Sequence, residues 1–70
     1  MNYRKLSKRL RALGCQELSR PKRGSHRKWF NPATRGSTII PYHGSQDIAL
    51  GIVRKVVRDL DLSWDEFQDR

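Results

Sequence analysis

The stretch Ser25-His-Arg-Lys-Trp-Phe30, Asn31-Pro-Ala-Thr-Arg-Gly36, Ser37-Thr-Ile-Ile-Pro41 decides how this chain folds. The aromatic residues at its start favour a strand over residues 25–30. Strand side chains alternate, so His26, Lys28 and Phe30 fall on one face and Arg27 and Trp29 on the other. Residues 31–36, with Pro32 and Gly36, read as a loop, and residues 37–41 as the next short strand.

Moving toward the N-terminus, residues 15–20 alternate weakly. Cys15, Glu17 and Ser19 could face one way and Leu18 the other, ahead of turn chemistry in Pro21-Lys-Arg-Gly24. Before that, Tyr3, Leu6, Leu10 and Leu13 recur at helical spacing, with Arg4, Lys5, Lys8, Arg9 and Arg11 opposite. Gly14 stands where a left-handed helix end is commonly glycine.

On the C-terminal side, Tyr42 to Gln46 read as a loop. A second helix is expected from about Ile48 to Leu60, with Asp47 as N-cap and Ile52, Val53, Val56, Val57 and Leu60 turned inward. Its β-branched residues lower intrinsic helicity, so packing must hold it. Ser63-Trp-Asp-Glu66 is a capping box opening a short last helix, docked by Trp64 and Phe67. The order is α-β-β-β-α plus a short C-terminal helix, in a single domain over residues 1–70. It predicts an α+β architecture: a three-stranded antiparallel sheet with two helices packed on one face. The other sheet face is left open for binding.

Composition narrows the function. At 70 residues and 36% apolar content, the chain has a modest core and gains from a partner. Its one cysteine, Cys15, cannot form an internal disulfide, and one Cys with two His cannot make a structural zinc site. No apolar run approaches the roughly 18 residues of a membrane span. The charged start, from Arg4 onward, is not a signal peptide. The expectation is a soluble, cytoplasmic protein with no membrane, metal or cofactor partner. Fifteen Lys and Arg against seven Asp and Glu give a net charge of +8. The first half holds eleven bases and one acid (Glu17), so a polyanion, most often nucleic acid, is the expected ligand.

Residues 20–29 concentrate the functional types. His26 has five cations within six positions: Arg20, Lys22, Arg23, Arg27 and Lys28. Gly24 permits close backbone approach, and Ser25 can donate to a phosphate oxygen. An imidazole can take a proton from a ribose 2′-hydroxyl or give one to a leaving 5′-oxygen, while the cations stabilise the phosphorane-like transition state. The carboxylates Asp59, Asp61, Asp65, Glu66 and Asp69 are remote in sequence from this segment. Taken alone, charge and spacing support phosphate binding, not catalysis. His43 reads as a loop residue or a second acid–base group, Trp29 as core or a base-stacking surface, and Cys15 as a small core residue.

Gly24-Ser25-His26, the aromatic strand behind it, Ile39-Ile40-Pro41, His43-Gly44, Asp47-Ile48 and Gly51-Ile-Val-Arg-Lys-Val-Val57 together resemble the HicA toxin family. These are small mRNA interferases of bacterial type II toxin–antitoxin systems. The likeness runs from Leu6 to about Phe67. It implies a fold like that of double-stranded-RNA-binding domains and metal-independent endonucleolytic cleavage of RNA. The family's catalytic histidine falls on His26, and the resemblance implies neutralisation by a HicB-type antitoxin that covers the active site. RNA contacts are expected from Lys22, Arg23, Gly24, Ser25, Arg27 and Lys28. The chain departs from the family at Cys15-Gln16, where another aromatic residue is common, and in its heavier basic first helix. Tyr42, His43 and Lys28 are unranked candidates for a second proton-transfer group. A noncatalytic RNA-binding module is the alternative. A DNA-binding subunit is weaker, because no helix-turn-helix pattern appears.

Overall fold

The computed structural model describes residues 1–18, 26–42, 44 and 46–69. Helix α1 (Tyr3–Ala12) leads into strands β1 (Gln16–Glu17), β2 (His26–Phe30) and β3 (Ser37–Pro41), then helices α2 (Leu50–Asp59) and α3 (Trp64–Gln68). The sheet is antiparallel in the order β1-β2-β3. Both the helix–strand order and the α+β class match the sequence reading.

The pleat sorts β2 and β3 cleanly. Trp29, Thr38 and Ile40 are buried beneath the helices, whereas His26, Lys28, Ser37 and Ile39 are exposed on the other face. Tyr3, Leu6 and Leu10 of α1 join Val53, Val56 and Val57 of α2 on the covered face. Leu60 and Phe67 complete the centre, and Ile52 is only half-buried at its edge. Trp29 is fully buried, which decides its reading in favour of core. Cys15 is also buried, and that burial raises its thiol pKa, as suits a packing residue and not a nucleophile.

Both ends of α1 and the start of α3 follow local chemistry, whereas α2 is set by long-range contact. Asn2 caps α1, its Oδ1 accepting from Lys5 N at 2.9 Å, and Gly14 follows the helix at φ +91°. Ser63 accepts from Glu66 N at 2.9 Å, so the expected capping box opens α3. At α2 the expectation fails: Asp47 is not the N-cap, and the helix begins at Leu50 after Ala49, which makes no side-chain cap. Asn2 and Asp47 form an antiparallel bridge instead, and Ile48 N donates to Met1 O at 2.7 Å. That pairing keeps residues 47–48 extended and delays the helix.

The β2–β3 loop is fastened to the end of α2. Asn31 Nδ2 and Thr34 Oγ1 both donate to the Leu60 carbonyl, at 2.8 and 3.1 Å, satisfying an acceptor the helix leaves open. Gly36 lies so close that a Cβ there would meet the Asp59 carbonyl oxygen at 2.5 Å. Thr38 Oγ1 donates to Asp59 Oδ2 at 3.0 Å, and Lys55 Nζ to the same oxygen at 2.8 Å. These partners hold the Asp59 carboxyl below its ordinary pKa, Lys55 contributing most.

Candidate nucleic-acid interface

β2 carries the described part of the basic segment. His26 opens the strand on the uncovered face, directly across from Pro41 of β3. Lys28 shares that face and lies opposite Ile39, which is 54% exposed. Leu18, 52% exposed, donates its N–H to the Lys28 carbonyl at 2.9 Å and extends the surface past β1. The open face is therefore a mixed one, with an imidazole and an ammonium set among apolar side chains. Such a surface can meet a phosphate and a base together.

Arg27 has different work. It points to the helix-covered side, where its guanidinium lies 4.4 Å from the Tyr42 ring centroid and 5.9 Å from that of Tyr3. Its Nη1 is 3.6 Å from Glu17 Oε2, and its Nε is buried with no hydrogen-bond partner. Much of its charge is thus engaged within the fold. Grouping by sequence sets it among the RNA cations, although strand alternation puts it opposite His26.

Glu17 organises this region. Tyr3 Oη donates to Glu17 Oε2 at 3.0 Å and accepts from Trp29 Nε1 at 2.9 Å, while Arg11 Nη2 reaches Glu17 Oε1 at 3.2 Å. Arg11 also lies 5.2 Å above the Trp29 ring. Burial pushes the Tyr3 phenol up to about 12, aided by Glu17 and opposed by the Trp29 hydrogen bond. Sequence reading missed this network. Its one available signal was that Glu17 is the sole acid among eleven bases.

Tyr42 follows β3, packs edge-on against Tyr3 at 4.9 Å between centroids, and carries the Arg27 guanidinium. It therefore stands at the same end of the β2–β3 pair as His26. Lys22, Arg23, Gly24, Ser25, Arg20 and His43 lie outside the described residues. Among the described residues, no three of His, Cys, Asp and Glu group as metal ligands. No helix among them is long and apolar enough to cross a membrane.

A family model described as HicA toxin of bacterial toxin-antitoxin matches residues 3–62. The chain belongs to the HicA toxin family. It is thereby a toxin of a bacterial toxin–antitoxin system, a class that implies a cognate antitoxin as partner. The matched span takes in α1, the whole sheet and α2, and ends before α3. His26 and the basic segment before it lie inside it. No curated protein and no solved structure gives a match.

Proposed function

We propose that this HicA-family toxin is an endoribonuclease, an mRNA interferase that cuts messages and blocks translation in the cytoplasm. A HicB-type antitoxin neutralises it by covering the cutting face. The observation that carries the reading is the position of His26: exposed, at the head of β2, with Lys28 on the same open face and the segment rich in Arg and Lys leading directly into it. The covered face already contains the core, so an imidazole here has no packing duty.

In the reaction, the ribose 2′-oxygen attacks phosphorus and the 5′-oxygen leaves, giving a 2′,3′-cyclic phosphate and a 5′-hydroxyl. His26 serves as general base for the first oxygen or general acid for the second, and solvent water completes the other proton transfer. Lys22, Arg23 and Lys28 hold the backbone and stabilise the added negative charge, with Gly24 and Ser25 shaping the phosphate approach. Arg27, tied to Glu17 and Tyr42, contributes mainly by fixing the strand on which His26 stands. No step in this route calls for a metal or cofactor.

A noncatalytic RNA-binding module is the second reading. What favours it is the net charge of +8 together with the open face that Lys28 shares with exposed Ile39, which can hold a polyanion without any proton transfer. Incubating end-labelled RNA with the protein in EDTA separates the two. Scission to cyclic-phosphate ends is the expected result; RNA bound in a salt-sensitive manner and left intact would favour the module.

A further inference from the structure

The cations of the two long helices are not equally provided for. On α2, Lys55 pairs with Asp59, Arg54 lies 4.4 Å from the Trp64 ring centroid, and Arg58 occupies the last turn, where a cation suits the helix dipole. On α1, Arg9 lies 5.5 Å from the Phe67 ring centroid and Arg11 pairs with Glu17, again in the last turn. Arg4, Lys5 and Lys8 are the exception: all three are exposed, and none has an acidic partner among the described residues.

Their placement also works against the helix. Arg4 and Lys5 sit in a first turn that contains no acid, at the positive end of the dipole. Arg4 and Lys8, like Lys5 and Arg9, stand four residues apart and repel along one face. No ion pair among the described residues offsets either effect. Beside them, Lys5, Lys8, Arg9 and the small Ala12 line a shallow groove of about 300 Å³. One helical turn separates Arg4 from Lys8, roughly 6 Å along the axis, a spacing similar to that of neighbouring phosphates on an RNA strand.

We propose that the outward face of α1, built by Arg4, Lys5 and Lys8, is a second phosphate-backbone site that anchors RNA away from the point of cutting. Because α1 packs on the covered side of the sheet through Tyr3, Leu6 and Leu10, this face points away from His26. It holds RNA flanking the cut and takes no part in the chemistry. The choice of RNA as ligand rests on the proposed ribonuclease function; the need for an external polyanion rests on the unoffset charge of α1.

The test compares RNA binding by two full-length proteins, His26→Ala alone and His26→Ala with Arg4→Gln, Lys5→Gln and Lys8→Gln, using a labelled single strand of about 30 nucleotides across a salt series. Removing three phosphate contacts should weaken binding at least tenfold at low salt and lower the log–log salt slope by about 2. The thermal midpoint should stay equal or rise, since repulsion has been removed. A control with Arg35→Gln, Arg54→Gln and Arg58→Gln, of the same net charge, should change the slope less. Equal effects from the two triples would overturn the site and leave only net charge. An unchanged slope would overturn it too, leaving a solvated face or one reserved for a protein partner. With His26 present, absence of cleavage alongside a reduced slope would overturn the nuclease reading while upholding the anchor.

Discussion

The two faces of β2 assign opposite tasks to neighbouring residues. Trp29 and Arg27 look toward the helices, one fully buried and hydrogen-bonded to Tyr3, the other tied to Glu17 and stacked on Tyr42. His26 and Lys28, each one residue away from Arg27, look outward from the same strand. Period-2 geometry thus separates what holds the fold from what is offered to a ligand. The lesson is practical: a substitution on the inner face should be read in stability, and one on the outer face in activity.

The largest effect should come from Trp29→Ala. Emptying a fully buried indole site and removing the N–H it donates to the Tyr3 hydroxyl should cost about 3–5 kcal/mol, a large share of what a chain this short can have. Denaturant titration should find the variant largely unfolded in buffer; a loss under 1 kcal/mol would contradict a structural role for the inner face. Next, Asn31→Ala should cost about 1–2 kcal/mol, because Thr34 still serves the Leu60 carbonyl after the Asn31 contact is lost. A urea midpoint equal to wild type would contradict that fastening.

Tyr3 makes the inner face sensitive to pH. Its phenol titrates at about 12 in the folded protein against an ordinary 10.0. The raised value means that the folded state favours the neutral form. The associated stability is therefore complete below pH 10 and is lost as pH climbs from 10 toward 12. Tyr3→Phe should be less stable at neutral pH but should lose less over that alkaline window. Parallel slopes for the two proteins would remove Tyr3 as the cause. The smallest effect belongs to the outer face: Ile39→Thr should leave stability within about 0.5 kcal/mol of wild type, by the same denaturant titration.

Much of this was legible in the sequence because the deciding features are local. Alternation in residues 26–30 and 37–41, the apolar stripes of α1 and α2, and the Ser63–Glu66 box each depend on residues a few positions apart. What was not legible depends on distant partners. Asp47 reads as an N-cap until Met1 and Asn2 arrive from the other end of the chain and pair beside it. Trp29 suits a stacking surface as well as a core until Tyr3 is seen to receive its N–H. Arg27 reads as one cation among five until β1 brings Glu17 to it. For the site, composition drew attention to His26 and the cations around it. The sheet adds which of the two faces His26 and Lys28 share.

We propose that His26 does chemistry and no structural work. The most direct test measures His26→Ala and wild type side by side, for cleavage of end-labelled RNA in EDTA and for unfolding in urea. Coincident unfolding curves and no detectable cleavage by the variant are the expected result. Cleavage retained by a folded His26→Ala protein would contradict it.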